Sequence, residues 1–352
     1  MDYFKQACVE VLEELKKNNA TTQRQLNQIK LKILNKYKNN AKLKQIPKNA
    51  DIYFAADEET RQSFKELLSL KPVRTISGVA PIALMSEPYP CPHTMKGIGP
   101  CTYCPGGPGS PFGNVPQSYT GKEPSTRRSI RNNYNPYFIV FNRLEHYVAM
   151  GKIPDKAEII IQGGTFTFFP RAYQEYFVKY ALKAMNDFSK LFFDEKSSID
   201  MPKFTKFFEL PRAIAEDEKR TKSIQRRLLY IKNLDLNDAK IKNMVEDLVF
   251  NSNIFESRNN GQTVNSLGKA DDNEQNEIAV SEQNSSPNII EDKIENQNNA
   301  NMLAIRNVQN KIKSENNKNL TLKQVQKENE TSFIRCVGLT IETKSDFGKL
   351  YH

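Results

Sequence analysis

Three of the chain's five cysteines crowd into one short stretch, Cys91, Cys101 and Cys104 in CPHTMKGIGPCTYCPGG, a C-x9-C-x2-C spacing. An odd number of cysteines with three so close together is a poor disulfide framework, and in a reducing compartment such a group reads as a metal or redox site. Three thiolates leave one position open on an iron–sulfur cluster, so that its unique iron can bind a further ligand. The competing chemistry is zinc, with His93 as a fourth ligand in C-x-H-x7-C-x2-C. That is not a standard zinc pattern, and spacing alone does not separate the two. Cys8 on a helix face and Cys336 within an apolar run read as buried thiols. His146 falls on a helical pattern and reads as structural.

The elements that must position the cysteines follow from periodicity. Arg74–Met85 (RTISGVAPIALM), Ala157–Gln162 (AEIIIQ) and Arg335–Thr343 (RCVGLTIET) are apolar, β-branched runs that suit buried strands. Between the first two lie a Pro- and Gly-rich stretch, 88–116, and a helical segment that includes Phe138–Met150. After the second, Tyr176, Tyr180 and Met185 mark a helix over 172–190. Strands alternating with helices predict a parallel sheet of the α/β class. The cysteine loop then follows the first strand, at the end of such a sheet where ligands gather. The second strand runs into Gln162, Gly163, Gly164 and Thr165, where a Gly-Gly pair lets backbone approach a ligand closely. Glu342 ends the third strand on the same side. It suits a cofactor ribose or simple solvation.

Of 352 residues, 38% are hydrophobic, lean against the roughly 45–50% of ordinary domains, so part of the chain is expected to stay out of a core. Lys and Arg exceed Asp and Glu by 51 to 41, giving +10, which permits an anionic partner without naming one. Residues 1–50 carry eleven basic and four acidic side chains, on two amphipathic helices with Phe4, Cys8, Val11, Leu12, Leu15 and then Leu26, Ile29, Ile33, Tyr37 at helical spacing. Residues 251–300 hold twelve Asn, nine acidic and three basic residues, so 252–318 reads as a disordered insertion. Residues 203–251 read as a helical elaboration of the loop that carries it. No apolar run is long enough to span a membrane and no secretory leader is legible, so a soluble, cytoplasmic chain is expected.

The segment from VRTISGVAPIALM through SYTGKEPSTRRSIRNNYNPY, then IIIQGGTFTFFP, then RCVGLTIET, resembles the catalytic subunit of Elongator in its archaeal form. The resemblance is close over about 70–190 and 330–350, looser over the N-terminal helices, and does not extend to the Asn-rich insertion. It implies a basic, tRNA-binding region over 1–70 and the first βα units of a radical S-adenosylmethionine (SAM) domain over 71–202. It also implies a third barrel strand over 319–352, making an incomplete partial (β/α)6 barrel. In this family the wobble uridine of certain tRNAs is converted to 5-carboxymethyluridine. Cys91, Cys101 and Cys104 would hold a 4Fe-4S cluster, and SAM would bind it beside Gly163, Gly164 and Thr165, with Glu342 near the ribose. Acetyl-CoA would be the co-substrate, its methyl group activated by a 5′-deoxyadenosyl radical. No catalytic side chain is assigned.

Lys122, Arg128, Arg131, Tyr134 and Tyr137 match the family pattern after the cysteine loop, and cations interleaved with aromatics suit RNA, since the charges hold phosphates and the rings stack bases. A solvated basic surface is the alternative. Arg127 and Asn135 depart from the pattern, as does Glu342-Thr343-Lys344-Ser345-Asp346-Phe347 where the family reads E-T-R-P-D-Y. Three strands are too few for the expected barrel, and the family's acetyltransferase-like domain does not follow. The expectation is therefore a split half completed by a second polypeptide, a truncation, or an inactive paralogue, without turnover on its own. The rival classes are a noncatalytic RNA-binding or scaffold protein with a zinc-stabilised loop and, less suited to these residues, a protein-lysine acetyltransferase.

Overall fold

The computed structural model describes residues 3–38, 46–68, 77–211, 218–251, 289–314 and 320–344. Two amphipathic helices open it, α1 (Tyr3–Lys17) and α2 (Gln23–Lys38), followed by α3 (Asn49–Ala55), α4 (Glu58–Ser63) and α5 (Lys65–Leu68). The apolar positions read from the sequence meet here. Cys8, Val11 and Leu15 of α1 pack with Leu26, Ile29 and Ile33 of α2, and Ile52 and Leu68 close a small core of their own. On the outer face Lys32 and Lys36 pair with Glu14 (2.9 Å) and Glu10 (2.8 Å). Part of the positive surface expected to meet RNA is thereby balanced within the helix pair.

A three-stranded parallel sheet forms the second part, in the order β1 (Ala80–Met85), β2 (Lys156–Gln162), β3 (Arg335–Ile341). All three strands form in the runs the sequence marks; of the first run, 74–76 lie outside the described residues and 77–79 are not strand, β2 starts one residue earlier, at Lys156, and β3 ends at Ile341. The β1–β2 crossover contains α6 (Pro92–Met95), α7 (Pro124–Arg131) and α8 (Pro136–Ala149). From β2 to β3 run α9 (Arg171–Phe192), α10 (Met201–Phe207), α11 (Glu218–Lys232), α12 (Ala239–Val245), α13 (Ile289–Lys313) and α14 (Leu322–Asn329). Ile82, Leu84, Ile159 and Ile161 are fully buried beneath α8 and α9. Each such side chain stabilises the fold by about 1.5–3 kcal/mol. β3 differs: Val337, Leu339 and Ile341, on one face of the strand, are exposed.

The helical elaboration is part of the main core. Phe204, Phe207, Phe208 and Phe250 pack onto Phe188 and Phe192 of α9, with ring centroids 5.3–6.4 Å apart. A buried ion pair, Arg220–Glu145 at 2.6 Å, fastens α11 to α8.

The expectation of disorder over 252–318 meets a helix over 289–313, while 252–288 and 315–319 lie outside the described residues. The reason is local. Ala304 and Val308 are buried and Ile312 packs against the core, an i, i+4, i+8 stripe that anchors an otherwise polar helix. Lys311 of the same helix pairs with Glu87 and donates to the Asn133 carbonyl, tying α13 to the segment just past β1.

Candidate cofactor and nucleic-acid site

The parallel register brings three strand ends together. Met85 lies opposite Gln162 and Ile161 opposite Ile341, so Ser86 emerges beside Gly163 and Glu342 beside Gln162. The Ser86 N–H donates to the Gln162 carbonyl (2.9 Å) and the Glu342 N–H to the Ile161 carbonyl (2.8 Å), prolonging the ladder by one step at each end.

Gly163 and Gly164 have φ of +120° and +93°. A β-carbon on Gly163 would lie 2.3 Å from the Ser86 Oγ, and one on Gly164 would lie 2.6 Å from the Gln117 Cβ. The pair therefore admits the chain leaving β1 on one side and the cysteine loop on the other. Gln117 in turn accepts a hydrogen bond from the Cys104 thiol (3.3 Å), which also donates to the Gly106 carbonyl (3.2 Å). Thr165 begins the 3-10 turn Phe166–Phe168, with the Phe168 N–H donating to its carbonyl.

Cys91 precedes α6, and its carbonyl accepts from the Met95 N–H. Cys101 and Cys104 share a turn in which the Cys104 N–H donates to the Cys101 carbonyl at 2.9 Å. Lys344, just beyond β3, reaches into this loop, with its Nζ 2.6 Å from His93 Nδ1 and 3.5 Å from the Cys101 Sγ. All three thiols are half-buried. Among the described residues, no three His, Cys, Asp or Glu side chains are gathered closely enough to hold a metal ion. The loop brings His93 and Cys101 together around Lys344. In kind and number, three thiols without a carboxylate suit an iron–sulfur cluster better than a hard cation. Closing them on one metal requires side-chain rearrangement within the loop.

Glu342 is held from two directions. Its Oε2 accepts from the Tyr119 hydroxyl (2.7 Å) and its Oε1 from the Gln162 Nε2 (3.0 Å). Burial, then the carboxylate beside it, pushes the Tyr119 phenol well up, so Tyr119 stays a donor. Gln162 Oε1 is buried and has no hydrogen-bond donor among the described residues. An orphan acceptor next to a Gly-Gly turn fits a ligand that carries an ammonium group. Tyr119 and Gln117, which sequence reading passed over, are thus the contacts that hold the loop to the sheet.

The five RNA candidates separate. Lys122 is exposed, Arg128 and Arg131 on α7 are partly exposed, and Tyr134 has its hydroxyl buried without a partner. Tyr137 is wholly buried in the first turn of α8 and donates to Asp187 Oδ2 (2.8 Å), so it cannot stack a base and that expectation is corrected. Its place in the stripe Tyr137, Phe141, Leu144, Val148 was the available signal, because these residues recur on one helix face. Exposed aromatics instead occur on the cysteine loop, at Tyr103 (79% exposed) and Phe112 (43%). The Cys101 sulfur beside Tyr103 raises that phenol by accepting its hydrogen bond. A cavity of about 570 Å³, lined by Tyr53, Arg61, Lys65, Ile153 and Asp200, involves none of these residues.

The fold and site define a mixed α/β protein, mostly helical, with a cysteine-bearing loop docked on the C-terminal end of a small parallel sheet. Its sequence relatives are specific. Residues 4–76 match the ELP3 N-terminal domain. The chain is 40% identical over 190 residues to the tRNA uridine(34) acetyltransferases of Methanocaldococcus infernus and Methanocaldococcus jannaschii, covering 54% of this chain and 34% of each of them. It is 37% identical over 204 residues to Elongator complex protein 3 of Saccharomyces cerevisiae, covering 58% of this chain and 36% of that protein. The N-terminal half of the chain is homologous to these proteins. The chain spans about a third of the length of these relatives. No described helix is long and apolar enough to cross a membrane.

Proposed function

We propose that this chain takes part in tRNA wobble-uridine modification, as the part of an acyltransferase-type enzyme that holds the cofactors and meets the tRNA. The observation that carries this reading is the convergence of the cysteine loop, the Gly163-Gly164 turn and Glu342 at one end of a parallel sheet, in a chain 40% identical over 190 residues to tRNA uridine(34) acetyltransferases. In this reading the sheet belongs to a radical SAM partial barrel, and Cys91, Cys101 and Cys104 hold a 4Fe-4S cluster. Gly163, Gly164 and Thr165 line the amino-acid end of SAM. The bound cluster would supply the electron that cleaves SAM reductively. The protein's own residues keep the site dry and oriented: Gln117 and Tyr119 pin the loop, and Gln162 offers an acceptor to the ligand. Acetyl-CoA is the co-substrate and 5-carboxymethyluridine the product.

For tRNA, Lys122, Arg128 and Arg131 contact phosphates, and the stacking role falls to Tyr103 and Phe112. Anaerobic reconstitution with iron and sulfide, followed by visible absorption and iron and zinc analysis, tests the cofactor reading. Broad absorption bleached by dithionite supports it. One tight zinc without iron overturns it in favour of a zinc-stabilised RNA-binding loop that includes His93.

A further inference from the structure

Tyr119, Glu342 and Gln162 come from three separate segments, the end of the cysteine loop and the ends of β3 and β2, yet they form one continuous chain of hydrogen bonds. Each link has a defined direction. Tyr119 donates to one carboxylate oxygen of Glu342, and the other oxygen accepts from the Gln162 Nε2. A carboxylate accepts and does not donate, so Glu342 dictates which way the Gln162 amide faces. The consequence is that Oε1, and not Nε2, is the atom left buried without a partner among the described residues, on the residue that precedes Gly163. The Glu342 backbone N–H is fastened to the Ile161 carbonyl, which fixes where its side chain starts, and Tyr119 and Gln162 hold the two carboxylate oxygens.

We infer that Tyr119, Glu342 and Gln162 are a positioning relay: Tyr119 and Glu342 orient the Gln162 amide so that its oxygen receives an ammonium group of the ligand, and the same contacts dock the cysteine loop on the sheet. The relay rests on the cofactor reading above for the identity of that ligand, an amino acid-bearing nucleoside. It assigns Tyr119 a role that none of its neighbours in sequence suggests, and makes Glu342 a positioning residue that acts through Gln162.

The relay is tested with Tyr119→Phe and Glu342→Gln in the full chain, by two independent measurements. First, in the metal-free chain, deuterium exchange at residues 117–121 should rise at least tenfold in Tyr119→Phe while exchange in α8 and α9 is unchanged. Unchanged exchange at 117–121 overturns the relay whatever the cofactor is. Second, in the reconstituted chain, each variant should weaken SAM binding about tenfold at equal iron content, while binding of 5′-methylthioadenosine, which lacks the amino acid, stays the same. The double variant should bind SAM no worse than the weaker single one. Equal loss for both ligands, or additive losses, overturns the relay and leaves a general packing role. If the native chain takes up no iron and binds no SAM while exchange at 117–121 still rises in Tyr119→Phe, the cofactor reading and the amino-group role fail, and the loop-docking role stands.

Discussion

Replacing Gly164 with alanine tests how the cysteine loop is seated. At φ of +93° an L-residue pays about 1–2 kcal/mol for the left-handed side of the map. The new methyl carbon would also stand 2.6 Å from the Gln117 Cβ, a backbone-proximal atom that cannot rotate away, and such overpacking costs about 1–3 kcal/mol. The sum is roughly 2–5 kcal/mol, and lifting the loop relieves the steric part without unfolding either core. At about 1.4 kcal/mol per decade, a 2 kcal/mol loss raises the open population roughly 30-fold. The assay is the labelling rate of the half-buried Cys104, whose thiol donates to Gln117 in the docked loop. Gly113→Ala is the control: its φ of +85° carries the same backbone cost, but a β-carbon there meets nothing within 4 Å. Labelling of Cys104 in Gly164→Ala no faster than in Gly113→Ala would show that the Gly164–Gln117 contact does not seat the loop.

Three further outcomes follow from the same geometry. Asp187→Ala should destabilise the chain by about 3–5 kcal/mol in urea unfolding, because it leaves the buried Lys183 ammonium unpaired; Tyr137→Phe, losing one hydrogen bond to Asp187, should cost about 1 kcal/mol and leave tRNA affinity unchanged. For Glu123, burial works against ionisation, but hydrogen bonds from the Thr120 and Glu123 backbone and from the Thr120 and Thr126 hydroxyls outweigh it and hold the carboxyl at about 2, below its ordinary 4.5. The folded form binds this proton more weakly, so its contribution is complete above about pH 4.5 and is lost as pH falls towards 2; Glu123→Gln should flatten that part of the acid-unfolding curve followed by circular dichroism. Lys122→Ala and Arg128→Ala should each weaken tRNA binding evenly across tRNA sequences and lower the salt slope by about 0.7–0.9 in a filter-binding series, whereas an unchanged slope removes these residues from the phosphate contacts.

Periodicity made much of the architecture legible. A covered strand reads as an apolar, β-branched run, and a helix on a core must repeat its apolar residues every three or four positions, so β1, β2, α1, α2 and α9 could be read from local pattern alone; β3 carries the same kind of run although Val337, Leu339 and Ile341 are exposed. Within the insertion, the expectation of disorder fails over 289–313 for the opposite reason. Averaged over fifty residues, Asn and acid swamp the signal, while Ala304, Val308 and Ile312 suffice to seat α13 on the core. Tyr137 follows Arg and Asn residues that suit RNA, but its stripe with Phe141, Leu144 and Val148 marks a core face, and α8 turns it towards Asp187.

At the site, the sequence by itself determined the chemistry on offer: three thiols on one loop after a strand, a glycine pair after the next strand and a carboxylate after the third. Those are properties of residue type and local spacing. The tertiary structure decided what holds them together. Tyr119 and Glu342 are 223 positions apart, and Gln117 meets Gly164 only because the loop folds back over the end of β2. Such contacts depend on parallel register and on the path of the crossover, which no local pattern encodes, since hydrogen bonding needs angstrom-scale placement between segments that sequence leaves far apart.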